Sequence, residues 1–140
     1  MADTTGADLG DAAAVLAVVH EFDEALERGD FEAAGRLCLD DFVFLGSGEG
    51  EESRGPAELG DVLTTLRARV GADPVRWNLE LDPYEVAVRG DSALVTASGQ
   101  FELVMRDAAR SGRYLMVGVL HRTPEGWRWW AHHGSEPQPW

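Results

Sequence analysis

The stretch GWRWWAHHGS, residues 126–135, holds three of the five tryptophans and two of the four histidines in the chain. Alternation along a β-strand places every second side chain on one face, which gives the set Trp127, Trp129, Ala131 and His133. The opposite face then carries Arg128, Trp130 and His132. Both faces have an aromatic side chain, so the stretch predicts a central strand that is covered on both sides. We expect one face to border an interior cavity and the other to meet a second sheet or subunit.

The length and the charge of the chain exclude several classes of protein. A chain of 140 residues suits one domain with its own core. The formal net charge of −13 repels phosphate backbones and anionic lipids, so we expect neither a nucleic-acid partner nor a membrane partner. The absence of lysine excludes catalysis through a lysine Schiff base. Isoleucine is absent and asparagine occurs once, which points to a bacterial genome of high GC content.

The localisation follows from two absences in the sequence. No apolar run approaches the roughly 20 residues that a transmembrane helix needs. The N-terminal residues are acidic and polar, unlike a secretory signal. We therefore expect a cytoplasmic protein.

Hydrophobic periodicity predicts helices in the first half of the chain and strands in the second half. Residues 1–10 are interpreted as a flexible N-terminus and residues 11–140 as a single domain. Asp11 is predicted to cap a helix that extends to about Arg28, with Asp23 on its water-facing side. Two more helices are predicted at 31–39 and 56–70, and strands at 42–45, 76–81, 84–88, 93–105, 113–122 and 126–135. The acidic, glycine-rich segment 46–56, which joins the predicted strand 42–45 to the predicted helix 56–70, is interpreted as a mobile rim. This order predicts an α+β domain with helices packed on one side of a curved, mostly antiparallel sheet.

Several short signatures occur in a fixed order along nearly the whole chain. They are ERGD at 27–30, LDDFVF at 39–44, RGD at 89–91 and GWR at 126–128, followed by His133 and Ser135. In this order and spacing the chain resembles the SnoaL-like group of the nuclear transport factor 2 superfamily. The resemblance implies a cone-shaped half-barrel with three N-terminal helices and an apolar cavity. It also implies a homodimer joined through the open face of the sheet.

Ketosteroid isomerase, another member of that superfamily, moves a proton with three polar side chains. Matching its motifs to this chain places its helix-borne tyrosine at Phe22, its general-base aspartate at Gly46 and its oxyanion-hole aspartate at Gly118. Phe22 has no hydroxyl group, and the two glycines have no side chain. We therefore do not expect the chemistry of that isomerase, and the matching leaves open whether the chain is an enzyme.

The same comparison assigns the sheet face that carries Gly118 to the cavity. If the turn at 123–126 sets the register of the last hairpin, Gly118 lies opposite Ala131 and Met116 opposite His133. The predicted cavity residues are Phe22, Phe44, Ser98, Gln100, Met116, Gly118, Trp129 and His133. Ser98 and Gln100 belong with Thr96 to a polar set that faces either the cavity or solvent, and the sequence leaves both alternatives open.

His133 is the predicted catalytic residue, because imidazole exchanges a proton near neutral pH. The alternative is a structural histidine that is hydrogen-bonded in a tight corner of the core. His132 and His133 are neighbours on a strand and point to opposite faces, so they cannot bind one metal ion together. The lone Cys38 has apolar neighbours typical of a buried, inert thiol. We therefore predict no metal site and no cofactor.

The second face of the last hairpin is apolar, and no predicted helix remains to cover it. Val117, Val119 and Trp130 on this face predict a homodimer interface. The function that we expect first is the binding of a small hydrophobic molecule in an apolar cavity. One alternative is an acid–base enzyme of the cyclase, isomerase or dehydratase type that uses His133 on a polyketide- or terpenoid-like substrate. A second alternative is a homodimeric association module.

Overall fold

A computed structural model describes residues 6–70 and 76–138 of the chain. The helices are α1 (Gly6–Glu27), α2 (Phe31–Arg36) and α3 (Gly55–Val70). The strands are β1 (Cys38–Leu45), β2 (Glu52–Arg54), β3 (Arg76–Arg89), β4 (Ser92–Val104), β5 (Ala109–Thr123) and β6 (Gly126–Ser135). They form one sheet in the order β2-β1-β6-β5-β4-β3, in which β1 and β6 are parallel and the other neighbours antiparallel. The predicted architecture of helices on a curved, mostly antiparallel, unclosed sheet is confirmed.

The first helix begins at Gly6, before the predicted cap at Asp11. Asp11 lies inside the helix, and its carboxylate accepts two hydrogen bonds from the Arg122 guanidinium, at 2.9 and 2.7 Å. The sequence prediction was wrong here because an aspartate that suits a helix cap also suits an ion pair with a distant arginine. Part of the segment predicted to be flexible is therefore helical, and its residues 1–5 lie outside the described part of the chain.

Helix α2 is shorter than predicted, and β1 begins earlier. The Asp30 side chain caps α2 by accepting a hydrogen bond of 3.0 Å from the Ala33 backbone N–H. The chain leaves the helix at Leu37, whose carbonyl oxygen accepts a hydrogen bond of 2.8 Å from the Trp129 backbone N–H. Cys38 is therefore the first residue of β1 rather than the end of a helix. Its thiol is buried, as predicted, and burial raises the pKa of Cys38 to about 12.

Two strand predictions needed correction. The segment 46–56, predicted to be a mobile rim, contains the short strand β2, which pairs with the end of β1. The two strands predicted at 76–81 and 84–88 are one strand, β3, with an irregularity between Leu81 and Tyr84. Proline has no backbone N–H to donate, so Pro83 interrupts the hydrogen-bond ladder without ending the strand.

The core lies between the helices and one face of the sheet. We call this face the inner face; it is defined by Val95, Met116, Leu120 and Trp129, all of which are buried. The outer face carries Leu94 and Val117, which are exposed. Helix α1 contributes Val15, Val19 and Phe22 at a spacing of three or four residues, which places them on one helix face. In the described residues no helix is both long enough and apolar enough to cross a bilayer.

Candidate functional site

A β-bulge at Trp130 decides which side chains of β6 face the core. Leu120 pairs with Trp129 and Val119 with Ala131, so Trp130 is an extra residue in β6. Beyond the bulge the alternation is reversed, and Gly118 pairs with His132. The predicted pairing of Gly118 with Ala131 and of Met116 with His133 is therefore wrong. A register counted from the turn holds only as far as the first bulge.

His133 lies on the outer face of the sheet. It pairs with Val117 on one side and Leu45 on the other, and it is exposed. The prediction that His133 shares the cavity face with Trp129 is wrong. The bulge reverses the alternation between these residues, so their side chains lie on opposite faces of the sheet. The catalytic hypothesis for His133 required its ring to lie inside and loses its geometric basis.

Ser98 and Gln100 also lie on the outer face. Their strand β4 buries Val95, Ala97 and Phe101 on the inner face, so the residues between them point away from the core. Both Ser98 and Gln100 are exposed. Their assignment to the cavity is wrong, and the solvent-facing alternative for this polar set is correct.

Four rings from three elements meet on the inner face. We call this group the aromatic cluster; it consists of Phe22 (α1), Phe44 (β1), Trp129 and His132 (both β6). The ring centroids are 5.2 Å apart for Trp129 and His132, and 5.5 Å apart for Phe44 and His132. Phe22 lies 5.5 Å from Trp129. The predicted cavity residues Phe22, Phe44, Met116, Gly118 and Trp129 therefore share the buried inner face, while their role in binding stays a prediction.

Three buried polar atoms at this face have no hydrogen-bond partner in the part of the chain that the structure describes. They are Trp129 Nε1, His132 Nδ1 and Ser53 Oγ. Ser53 lies opposite Phe44 on β1, and Phe44 lies opposite His132 on β6, so these side chains form one row across the sheet. A buried polar group without a partner costs about 1–3 kcal/mol. In proteins such a group has a specific cause, such as an ordered water molecule, an ion, local strain or a functional role.

His132 is held in its neutral form. Burial among the aromatic rings lowers its pKa from the ordinary 6.5 to about 4, and the charge of the neighbouring His133 acts in the same direction. A neutral imidazole has one nitrogen that donates a hydrogen bond and one that accepts. At neutral pH His132 is therefore unprotonated and can accept a hydrogen bond from a bound molecule. Sequence reasoning missed it because it assumed unbroken alternation along β6.

The position matched to the oxyanion-hole aspartate is filled by another side chain. A Cβ atom at Gly118 would overlap the ring of Trp129 and lie 2.9 Å from the Ala131 carbonyl oxygen. The glycine thus lets the indole lie flat against β5. Phe22, Gly46 and Gly118 bring no polar side chain to the site.

A second polar group joins α1 to β3. The Tyr84 hydroxyl donates a hydrogen bond of 2.6 Å to the Asp23 carboxylate, and the His20 ring lies 5.8 Å from the Tyr84 ring. Burial raises the pKa of Asp23, although the bond from Tyr84 opposes that shift. The prediction that Asp23 faces water is wrong, because β3 packs against that side of the helix.

Among the described residues, recesses lie between α3 and its neighbours. One, of about 620 Å³, is bounded by α2, α3 and the start of β1, and its lining includes Phe31, Cys38 and Pro56. Another, of about 200 Å³, lies between α3 and the segment that precedes β2, and Glu51 lines it. Within residues 6–70 and 76–138, no group of three or more histidine, cysteine, aspartate or glutamate side chains could hold a metal ion.

Comparison with known proteins identifies the fold family. The family model of the SnoaL-like domain matches residues 15–139 of the chain. No curated protein matches the chain. An NTF2-like protein from Novosphingobium aromaticivorans has a TM-score of 0.77 at 22% identity, over 94% of this chain and 85% of the other.

Two further solved structures resemble the chain over similar lengths. A proposed dehydratase of the NTF2-like family from Streptomyces avermitilis has a TM-score of 0.75 at 26% identity, over 93% of this chain and 98% of the other. A ketosteroid isomerase-like protein from Erwinia carotovora atroseptica has a TM-score of 0.70 at 20% identity, over 92% of this chain and 98% of the other. The family match spans most of the sequence, and the chain therefore belongs to the SnoaL-like domain family of the NTF2-like superfamily.

Proposed function

We propose that the protein binds a small, largely apolar molecule against the aromatic cluster on the inner face. The observation that supports this function best is the pair of buried, unpartnered atoms Trp129 Nε1 and His132 Nδ1 among the described residues. Small-molecule sites are typically apolar with a few fixed polar groups that orient the ligand. A ligand with a hydroxyl or carbonyl oxygen would accept the indole N–H bond while its apolar body contacts Phe22 and Phe44.

An acid–base enzyme is the second candidate, and the neutral His132 favours it. A general base must be unprotonated at working pH, and burial gives His132 that property. The reaction would be of the isomerase, cyclase or dehydratase type on a polyketide- or terpenoid-like substrate, with His132 as the base in place of His133. Likeness to a proposed dehydratase and an isomerase-like protein supports this only through the fold, which hosts many activities.

The third part of the proposal concerns assembly. The outer face of the sheet exposes several large apolar side chains, namely Leu45, Leu94, Leu115, Val117 and Trp130. A patch of this kind is typical of a protein interface. The proposed partner is a second copy of the chain, which pairs through the face that carries Val117, Val119 and Trp130.

The binding function is tested with an uncharged aromatic alcohol, 1-naphthylmethanol, by isothermal titration calorimetry. Trp129→Phe keeps an aromatic ring but removes the N–H group together with the five-membered ring of the indole, so we expect affinity to fall by at least about three- to tenfold, the effect of one hydrogen bond. Trp130→Phe, on the outer face, is the matched control and should bind as the wild type does. Equal affinities of the two variants would contradict the proposed role of Trp129. Failure of the wild type to bind would contradict the function itself.

The enzymatic candidate is tested with 2-tetralone in D₂O. A general base at the inner face would remove an α-proton from the ketone and return a deuteron, which proton NMR detects as loss of the α-proton signal. We expect exchange faster than in buffer, abolished in His132→Gln and retained in His133→Gln. Exchange at the buffer rate with wild-type protein would reduce the proposal to binding alone.

A further inference from the structure

The strand pairing places the Glu51 side chain on the inner-face side of the sheet, one row beyond Phe44 at the end of β1. Leu45 pairs with Glu52, and both are exposed on the outer face. The Gly46 backbone N–H donates a hydrogen bond of 2.7 Å to the Glu51 carbonyl oxygen, which continues the ladder by one pair. Residues that lie opposite each other share a face, and successive pairs alternate. Gly46 and Glu51 therefore face the same side as Phe44.

The Glu51 side chain occupies the volume that Gly46 leaves empty. A Cβ atom built on Gly46 would overlap the Glu51 carboxylate and lie 2.6 Å from Glu51 Cβ. A Cβ atom on Gly48 would overlap the same carboxylate. Gly46 is the position that matches the general-base aspartate of ketosteroid isomerase. A carboxyl group is thus present at that position, but it belongs to Glu51, in the segment that leads into β2, rather than to a residue at the end of β1.

The surroundings of Glu51 combine an apolar wall with negative charge. Glu51 lines the recess of about 200 Å³ together with Val62, Leu66 and Arg69, and the first two of these also pack against the core. Burial raises the pKa of Glu51, and the negative charge of Glu136 adds to the shift, while a hydrogen bond from the Gly48 backbone and the charge of Arg69 oppose it.

Two neighbours of Glu51 are already bound to other groups. Glu136 is an ion-pair partner of Arg110 and accepts a hydrogen bond of 2.8 Å from the Ser47 hydroxyl. Tyr114 has a raised pKa, chiefly from burial, and it forms a hydrogen bond with Ser47. Whereas Glu136 is paired with Arg110, the carboxyl of Glu51 forms no ion pair among the described residues.

Glu51 and His132 lie on adjacent rows of the same face. His132 is in the row of Phe44 and Ser53, and Glu51 is in the next row towards the end of β1. Glu51 lies one row and one strand from Phe44, a backbone separation of about 8 Å that is comparable to the length of a two-ring molecule. A molecule held by the aromatic cluster would therefore reach the carboxyl of Glu51.

We infer that Glu51 supplies the carboxyl group of the interior site, in place of the side chain that Gly46 lacks, and that it selects uncharged or cationic ligands over anions. The inference rests on the proposed binding function. A carboxyl group at one end of an apolar site accepts a hydrogen bond from a hydroxyl or an ammonium group. It repels a second carboxylate. The neutral His132 adds no positive charge, and the exposed Arg69 in the same recess only weakens the repulsion.

The test compares two probes with the same ring system, the neutral 1-naphthylmethanol and the anionic 1-naphthoate, by calorimetry at pH 7.5. Wild-type protein should bind the alcohol at least about tenfold more tightly than the carboxylate. Glu51→Gln should reduce this ratio to about threefold or less, because it removes the repulsion. Glu52→Gln is the matched control, since it removes the same charge from the outer face and should keep the wild-type ratio. A wild-type ratio in Glu51→Gln would overturn the inference.

A second measurement needs no ligand. Carbon-13 NMR titration should find the pKa of Glu51 raised above the ordinary value of a glutamate in the wild type. Gly46→Ala should displace the carboxyl and return Glu51 towards ordinary behaviour, whereas Gly60→Ala, where no atom lies within 4 Å, should not. An ordinary titration of Glu51 that Gly46→Ala leaves unchanged would overturn the inference. If neither probe binds wild-type protein, the proposed function fails, and this titration alone decides the position of Glu51.

Discussion

Two adjacent histidines differ completely in environment. His132 lies against Phe44 and Trp129 with its Nδ1 atom buried, whereas His133 is exposed on the outer face. Nothing in their immediate sequence distinguishes them, because their chemistry is identical and their neighbours are shared. The difference arises from one extra residue, Trp130, which changes the face that each side chain occupies.

The lowered pKa of His132 makes stability depend on pH. The pKa of His132 is about 4 in the folded protein, whereas in the unfolded chain it has the ordinary value of 6.5. Between these values the unfolded state holds more protons, so the contribution of His132 to stability is complete above pH 6.5 and is lost as the pH falls towards 4.

We expect His132→Gln to remove this part of the acid sensitivity. From pH 7.5 to pH 5.0, the free energy of unfolding should fall by about 2 kcal/mol more in the wild type than in the variant. Urea unfolding at the two pH values measures the difference, and other acidic groups cancel between the proteins. His133→Gln should retain most of the wild-type dependence. Equal losses in wild type and His132→Gln would show that His132 titrates normally.

At the scale of the elements, β5 and β6 form the site together. Gly118 on β5 has no side chain, and the Trp129 ring of β6 occupies the space above it. The bulge beyond Trp129 then returns His132 to the same face, opposite Gly118. A glycine in the middle of a strand therefore marks a close approach of a large ring rather than a turn.

Gly118→Ala should disturb this pair of strands. The new Cβ atom would lie 2.9 Å from the Ala131 carbonyl oxygen, which belongs to the backbone and cannot easily move. We expect a loss of about 1–3 kcal/mol in the free energy of unfolding, as for other overpacked cores. Gly60→Ala in α3 is the control and should gain up to about 1 kcal/mol, because alanine favours a helix. Urea unfolding measures both, and an unchanged Gly118→Ala protein would contradict the packing described here.

At the scale of the whole molecule, the helices cover one face of the sheet and leave the other open. Trp130 is 47% exposed and Val117 is 41% exposed, at the centre of the sheet rather than at its edge. Trp130 faces outward by regular alternation after Trp129, whereas the bulge is what turns His132 inward. Neighbouring residues of β6 therefore serve the proposed binding site on one face and the proposed dimer interface on the other.

The proposed homodimer is tested with Trp130→Glu. An unpaired charge buried in an interface costs several kcal/mol, so the variant should be monomeric while the wild type is dimeric at micromolar concentration. Light scattering coupled to size-exclusion chromatography measures the mass. Leu9→Glu is the control, because Leu9 is exposed on α1 and should not affect assembly. A monomeric wild type would end the dimer proposal.

The sequence by itself determined the types and the order of most elements, and with them the fold family. Periodicity is a local property, so the inward-facing set of α1 could be read directly from it. The inward position of Phe44 was expected from the comparison with ketosteroid isomerase. Met116, Gly118 and Trp129 were also assigned to the correct face, because β5 alternates regularly there and Trp129 precedes the bulge.

Only the tertiary structure decided which polar groups meet at the inner face. The inward position of His132 depends on a bulge that no local signal marks. The position of Glu51 depends on how the segment after β1 folds back and pairs with the end of that strand. Asp23 depends on the packing of β3 against α1. Each case requires knowledge of which distant residue lies opposite. The face on which each side chain of a helix or a regular strand lies follows from local geometry. Strand register and bulges are instead set by the packing of several elements at once.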